Sequence, residues 1–178
     1  MLFRSNLAIA IEYEKLGQTA SAVGFYLRAA EYGFDTHPLV AYGALLRISI
    51  CIEGQKDRNL TVSNVILQAM AYLPERPEAY FLMSKFHEKF SQWQESYTFA
   101  ELGLVLSDRR MSPLPIDVTY VGKYGLEFQK AVSSWWIGRR DETARLFIDL
   151  VGRQEVSEDY KNAITANMER IGLTRVDV

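Results

Sequence analysis

Residues that interrupt helices recur through this chain at nearly regular intervals, and the segments between them carry helical periodicity. The turn centres fall near Gly17, Lys56, Ser91 and Gly138, so the three gaps are about 39, 35 and 47 residues. A period of this length, with two helical segments in each unit, is typical of helical-hairpin repeats. Each hairpin has an apolar face that it cannot bury alone, and stacking consecutive hairpins buries those faces in one continuous core.

The periodicity within the segments favours helices over strands. Leu7, Ala10 and Ile11 recur at spacings of three and four, and Gly17 follows as a helix C-cap. No segment alternates in strand fashion with turn punctuation, so a sheet is not expected. The sequence therefore predicts an all-α solenoid in a single domain over residues 1–178, with hairpins at about 3–34, 38–74, 77–107 and 118–152 and a capping helix at 157–171.

One segment breaks the rhythm of the repeat. The stretch from Ser107 to Asp117 contains Pro113 and Pro115 and is the one long loop that we expect. The next stretch, Val118 to Ile137, has the pattern of one long helix. The loop accounts for the extra length of the last gap between turn centres.

Composition excludes several classes of protein. The net charge is -2, and the only basic doublets are Arg109-Arg110 and Arg139-Arg140, so we expect no nucleic-acid partner. No run of 18 apolar residues is present, so we expect no membrane partner either. The single cysteine, Cys51, has no partner within the chain, which fits a reducing compartment. We therefore expect a cytoplasmic protein.

The residue patterns of common active sites are missing from the sequence. His37 and His87 lack the helical spacing to further ligands that a zinc site needs, and no glycine-rich phosphate loop is present. Cys51 lies in an apolar helical segment, where a free cysteine behaves as a small hydrophobe. The sequence therefore predicts no catalytic residue, no metal ligand and no cofactor, and the chain is not expected to be an enzyme.

Small and aromatic residues in the stretch from Leu7 to Ala29 resemble the tetratricopeptide repeat. A small residue and an aromatic residue on the first helix are followed by a turn glycine, and the second helix carries small residues where neighbouring helices approach. These positions are Ala10, Tyr13, Gly17, Ala22, Tyr26 and Ala29. The later hairpins keep part of the same pattern. The resemblance implies a right-handed α–α superhelix.

A narrower likeness covers residues 77–170. This stretch is similar to helical modules that accompany family-2-type glycosyltransferase domains. The resemblance implies an accessory or acceptor-handling domain that works with a glycosyltransferase domain in cis or in trans. The transferase chemistry itself would lie elsewhere, because that family uses an Asp-x-Asp metal motif on a sheet and this sequence has no Asp-x-Asp.

The first helix of each hairpin lines the concave surface of such a solenoid. Residues on these helices that do not point between repeats are the candidates for binding a partner, and they mix apolar, aromatic and charged side chains. We expect this surface to bind a protein or a peptide. The candidate residues are Leu7, Ile11, Lys15, Arg47, Phe81, Lys85, Lys89, Phe128, Trp135 and Trp136, with Glu14 and Glu88 beside them.

Trp135 and Trp136 have two interpretations. Consecutive residues on a helix lie about 100° apart, so one ring can be buried while the other is at least partly exposed. In the first interpretation both rings seal the last hairpin against the terminal helix. In the second, the exposed ring is an aromatic anchor for a peptide or a sugar face.

Three functional hypotheses follow, in order of preference. The first is a non-catalytic scaffold for protein–protein interaction, the second the glycosyltransferase accessory domain, and the third a self-sufficient enzyme on a helical scaffold. The first hairpin has no polar capping helix before it, so its apolar side is expected to meet either a preceding segment or a second copy of the chain.

Overall fold

The computed structural model describes residues 2–55, 57–107 and 111–173. These residues form helices joined by turns and loops, without a strand, which confirms the predicted all-α class. The predicted turn centre Lys56 and the doublet Arg109-Arg110 lie outside the described residues. No helix in the described part is both long and apolar enough to cross a membrane. The helices are α1 (Leu2–Lys15), α2 (Thr19–Gly33), α3 (Pro38–Glu53), α4 (Asn59–Tyr72), α5 (Pro77–Lys89), α6 (Trp93–Ser107), α7 (Lys123–Trp136), α8 (Arg140–Gly152) and α9 (Glu158–Arg170).

Three of the hairpins reverse direction through the same backbone turn. After α1, Gly17 takes a left-handed φ of 69°, and its N–H donates to the carbonyl of Glu14 at 2.9 Å. The next N–H donates to the carbonyl of Tyr13, also at 2.9 Å. Ser91 and Gly138 repeat the left-handed conformation and both hydrogen bonds. This is the Schellman arrangement that ends a helix and satisfies its last carbonyls.

The described residues fall into two compact units, and the first consists of residues 1–79 and 109–120. Within it α1 packs on α2, α2 on α3, and α3 on α4. Ala10, Ala22 and Ala29 are fully buried at these contacts, as is the ring of Tyr26. Small side chains let the helix axes approach closely, which is why the repeat pattern places alanine at these positions.

The second unit consists of residues 80–108 and 121–178. Within it α6 packs on α7, α7 on α8, and α8 on α9. The Ser84 hydroxyl donates to the carbonyl of Ser96 at 2.8 Å and joins α5 to α6. Phe147, Leu150 and Ile164 form the buried centre between α7, α8 and α9. The single domain over residues 1–178 stays a prediction.

Tyr97 ties α6, α7 and α8 together at the edge of the second unit. Its hydroxyl accepts a hydrogen bond from Arg139 at 2.7 Å and donates to Glu142 at 3.1 Å. The Lys130 ammonium joins Glu142 at 3.1 Å and Glu101 at 3.2 Å. The alternating charges satisfy one another around a buried hydroxyl, so this network stabilises the helical frame.

The predicted start of the fourth hairpin at residue 118 was wrong, because α7 begins at Lys123. The side chain of Asp117 accepts a hydrogen bond from the N–H of Thr119 at 2.9 Å. Thr119 has a φ of 60° and Gly122 a φ of 97°, neither of which fits a right-handed helix. The aspartate therefore holds the chain in a turn where the apolar pattern alone predicted helix.

Candidate binding site

The residues predicted to bind a partner from α1 differ in their exposure. Ile11 is half-buried, and Lys15 is exposed with its ammonium 2.7 Å from the carboxylate of Glu12. Leu7 is buried in the core of the first unit. The prediction that Leu7 presents its side chain to a partner was therefore wrong, because its spacing with Ala10 places it in the packed face of the helix.

Arg47 of α3 was predicted as a cation that binds a partner, and the structure gives it partners within the chain. Its guanidinium pairs with Glu14 of α1 and donates to the carbonyl of Asp117 at 3.2 Å. Tyr26 also donates to Glu14, at 2.7 Å. Burial alone would lower the pKa of Arg47, but the hydrogen bond and charge of Glu14 raise it. The guanidinium is thus a structural cation that holds α1, α3 and the loop together.

The proline-containing loop packs on α3 within the first unit. A Cβ atom at Gly43 would lie 2.6 Å from Cγ2 of Ile116, so only glycine leaves room for this contact. Arg76 donates to the carbonyl of Ser112 at 3.1 Å and pairs with Glu78, and both of these charged side chains are buried. The loop lies over a face of α3 that would otherwise meet solvent. Beside it is a groove of about 520 Å³ lined by Ile11, Glu14, Lys15, Tyr26, Arg47, Pro115, Ile116 and Asp117.

The residues predicted to bind a partner from α5 also differ in their exposure. Lys85 and Lys89 are exposed. Phe81 has no exposed surface, and its ring fills the space left by Gly125 of α7, where a Cβ would lie 3.0 Å from Cε2 of Phe81. The prediction that Phe81 contacts a partner was therefore wrong, since the ring closes the packing between α5 and α7.

Phe128 of α7 is half-buried rather than free on the surface. Tyr160 of α9 meets it edge to face with the ring centroids 5.1 Å apart, and Phe147 lies on another side at 6.2 Å. The terminal helix thus covers part of the face that the sequence predicts to be open. At the C-terminal end of α7 the side chain of Trp136 stays exposed.

All three tryptophans of the chain line one pocket in the second unit. The rings of Trp93 and Trp136 stack with centroids 5.1 Å apart and planes 15° apart. Trp136 is nevertheless 58% exposed. Trp135 is half-buried, and the guanidinium of Arg140 lies 5.0 Å from its ring centroid. The pocket holds about 160 Å³ and is lined by Glu88, Trp93, Val132, Trp135, Trp136, Phe147, Asn167, Arg170 and Ile171.

Glu88 supplies the one carboxylate of this pocket. Burial raises the pKa of the Glu88 carboxyl, while a hydrogen bond from the side chain of Gln129 and the charge of Lys85 lower it. The Oε1 atom of Gln129 is buried and has no hydrogen-bond partner among the described residues.

Sequence reasoning missed much of the lining of this pocket, including Trp93, Asn167 and Arg170. Trp93 falls in the predicted third hairpin, and Asn167 and Arg170 fall in the predicted capping helix, but none of them was a candidate for binding a partner. The spacing within each helix gives no signal that α6 and α9 meet α7 here. The exception is Trp93 itself, because a tryptophan in the first turn of a helix is a large apolar side chain at a position that usually carries polar residues.

The remaining reactive groups do not form a site in the described residues. No group of three or more His, Cys, Asp or Glu side chains in this part of the chain could hold a metal ion. Cys51 is half-buried, and burial together with the charge of Glu14 raises the pKa of its thiol to about 12. A thiol with such a pKa stays protonated near neutral pH and is a poor nucleophile.

The structure resembles two crystal structures of a protein from Podosopora anserina that is described as a kinesin light chain with nearly identical TPR-like repeats. The second of these is a single-residue variant of the first. The TM-scores are 0.58 and 0.59 at 15% sequence identity, over 83% of this chain and 72% of the other. No protein-family model and no curated protein matches the chain. At this identity the likeness concerns the fold, so the chain has the TPR-like, all-helical repeat fold.

Proposed function

We propose that this chain is a non-catalytic scaffold that binds an extended segment of a protein partner along α5 and α7 of the second unit. The observation that supports this most directly is the 58% exposure of Trp136 beside the tryptophan-lined pocket. Tryptophan is the residue most enriched among those that dominate the energy of protein interfaces. The exposed lysines of α5, Lys85 and Lys89, give the same surface a polar rim.

The distribution of charge in the first unit supports a structural rather than a catalytic role there. Arg47 is paired with Glu14, and Arg76 with Glu78. Catalytic acids and bases need a position from which they reach a substrate proton, and these groups are bound to each other. The same pairing supports placing the partner surface on the second unit. We place this role in the cytoplasm, on the basis of the single cysteine.

Peptide selection with the purified full chain tests this proposal. Peptides selected from a random phage-displayed library are measured for affinity to the wild type, to Trp136→Ala and to Tyr32→Ala. Tyr32 is a suitable control because it is 54% exposed on α2 and lies outside the pocket. We expect Trp136→Ala to weaken binding by at least roughly tenfold, with a melting temperature close to that of the wild type.

Two results would contradict the scaffold proposal. One is a set of selected peptides that bind Trp136→Ala and Tyr32→Ala equally well. The other is an equal loss of binding and of melting temperature in Trp136→Ala, which would support the interpretation in which the ring only seals the hairpin against the terminal helix.

A second candidate function is the accessory or acceptor-handling domain of a glycosyltransferase. It is favoured by one observation, namely that residues 80–108 and 121–178 form a compact unit that nearly coincides with the stretch resembling such modules. Aromatic rings such as that of Trp136 also stack on sugar faces. Saturable binding of oligosaccharides without binding of any selected peptide would favour this function over the first.

Self-association through the first hairpin is a further proposal about partners. Leu2 of α1 is 62% exposed, and Leu16, which directly follows α1, is 69% exposed. Leu16 also lines a shallow groove together with Ala8, Ile9, Glu12 and Tyr13. Exposed apolar side chains in such number favour burial against a second surface. Sedimentation velocity should show a dimer that Leu16→Glu weakens, whereas a monomer at all concentrations would contradict the proposal.

A further inference from the structure

We propose that the pocket around Glu88 receives one basic side chain, lysine or arginine, from the partner segment. This inference rests on the proposed scaffold function and specifies the chemistry of the residue that anchors the partner. It follows from the position of the carboxylate, from the aromatic walls around it and from the placement of the other charges.

No salt bridge joins the carboxylate of Glu88 to a cation in the described residues, although the charge of Lys85 acts on it. Its neighbour across the helix interface is the neutral side chain of Gln129, whose own Oε1 has no donor. A half-buried carboxylate without a salt bridge is costly, and an incoming cation that donates hydrogen bonds lowers that cost. The raised pKa of Glu88, which burial causes, has the same physical origin.

The walls of the pocket suit the aliphatic stem and the charged head of a basic side chain. Trp93, Trp135 and Trp136 line the pocket, and tryptophan rings attract ammonium and guanidinium groups. Val132 and Ile171 add apolar surface for the methylene groups, which lysine and arginine bury while their heads reach a polar partner. A volume of about 160 Å³ admits a single side chain rather than a folded ligand.

Neither Lys85 nor Arg170 forms a salt bridge with Glu88 in the described residues, although the charge of Lys85 lowers the pKa of that carboxyl. Lys85, on the same helix, is exposed, and its ammonium lies 5.4 Å from the ring centroid of Phe81. Arg170 of α9 lines the rim and is exposed, and no ion pair joins it to Glu88 in the described residues. Tyr160, on the same element as Arg170, carries no charge near neutral pH, and burial raises the pKa of its hydroxyl to about 12.

The donors at the rim fit the main chain of the same segment. Asn167 and Arg170 both line the pocket on the α9 side and can donate to peptide carbonyls. An acidic side chain would be attracted to Arg170 but repelled by the deeper carboxylate of Glu88. The arrangement therefore selects a segment that places a cation in the pocket and its carbonyl groups at the rim.

Intrinsic fluorescence tests the inference, because every tryptophan of the chain lines this pocket. The full chain is titrated with n-butylguanidinium and n-butylammonium chloride, and with butyramide and sodium butyrate as neutral and anionic probes of similar size at matched ionic strength. We expect a saturable change in emission with the two cations only. Glu88→Gln should weaken cation binding by at least roughly tenfold.

Controls separate loss of the site from loss of the fold. Glu155→Gln removes an exposed carboxylate outside the pocket and should leave cation binding unchanged. Glu88→Asp keeps the charge and should retain part of the binding, while near-ultraviolet circular dichroism checks the packing of each variant. Arg170→Ala removes a competing positive charge and should tighten cation binding.

Several outcomes would overturn the inference. Equal binding of butyramide and the cations would identify an apolar pocket, and a preference for butyrate that Arg170→Ala abolishes would identify an anion site. Failure of both cations, while selected peptides still bind through Trp136, would overturn the basic anchor but leave the scaffold function standing. Cation binding that depends on Glu88, without any peptide binding, would contradict the scaffold function instead.

Discussion

Charged side chains are paired within the chain on the loop-covered face of α3 in the first unit. In the tryptophan-lined pocket of the second unit, one such side chain is not paired with a described residue. On the face of α3, polar and apolar groups find partners within the chain. Arg47 binds Glu14 and a loop carbonyl, and Ile116 fills the space above Gly43. In the second unit, the carboxylate of Glu88 forms no salt bridge with a described residue and the ring of Trp136 stays exposed. Completed polar contacts indicate a structural role, and incomplete ones indicate a place for a ligand.

This difference also shows that the position of a residue on the first helix of a hairpin does not decide its role. Arg47 and Lys85 occupy such helices, yet the first is held within the chain and the second is exposed. The proline-containing loop causes the difference in the first unit, because it brings carbonyl groups to a surface that the repeat alone would leave open.

We expect Glu78→Ala to have the largest effect on the free energy of unfolding. It removes one member of an ion pair in the first unit, where the charges are paired within the chain. Removal of Glu78 leaves the buried Arg76 without its counter-charge, and the free energy of unfolding should fall by about 3–5 kcal/mol. Urea denaturation measures this. The control is Glu12→Ala, which removes an exposed ion pair with Lys15 and should change little. Equal effects of the two variants would show that the burial of Arg76 and Glu78 is not important.

Gly43→Ala should have the next largest effect, because the new Cβ would collide with Ile116. We expect the free energy of unfolding to fall by about 1–3 kcal/mol and proteolysis in the loop to be faster. The matched control is Gly24→Ala on α2, where a Cβ meets nothing within 4 Å. This variant should gain roughly 0.5–1 kcal/mol from the higher helix propensity of alanine. A gain in both variants would mean that the loop does not pack tightly on α3.

Tyr97→Phe tests whether the polar groups between α6, α7 and α8 of the second unit are hydrogen-bonded as completely as those of the first unit. The change removes the hydroxyl that joins Arg139 and Glu142 and should cost about 1 kcal/mol in the free energy of unfolding. Tyr32→Phe on the exposed face of α2 should be neutral. A neutral result for Tyr97→Phe would show that water replaces the hydroxyl contacts without loss.

Of these variants, Glu88→Gln should change the free energy of unfolding least, and the sign of that change is informative. Burial raises the pKa of Glu88 in the folded protein, so the stability linked to its proton is present at acidic pH and is lost as pH rises through that pKa. Glutamine has no such loss. We expect the variant to be slightly more stable than the wild type near neutral pH, with the difference shrinking as pH falls. Urea midpoints measured across this range test it, and a pH-independent difference would contradict it.

Much of the fold could be predicted because helical periodicity and turn residues are local signals. Gly17 and Gly138 mark two of the reversals, and the small residues Ala10 and Ala22 occupy the expected helix contacts. The start of α7 was misplaced because an Asp117 side-chain turn competes with an apolar pattern of similar strength.

The site was predicted only in part because it depends on contacts between distant segments. Trp135 and Trp136 could be selected for their type and spacing, but the stacking of Trp93 on Trp136 could not. Phe81 and Leu7 were assigned to the surface because periodicity cannot say which helix a given face will meet. A glycine at position 43 inside an apolar helix was the available signal that another part of the chain approaches there.

The shared hairpin turn has a consequence for how far such sequences can diverge. At Gly17, Ser91 and Gly138 both turn hydrogen bonds are made between main-chain atoms, and the turn asks only for one residue that tolerates a left-handed φ. Serine meets this demand in one of the three turns, so even glycine is replaceable. A turn held by main-chain hydrogen bonds leaves most side chains free to change, which is compatible with a shared fold at 15% sequence identity.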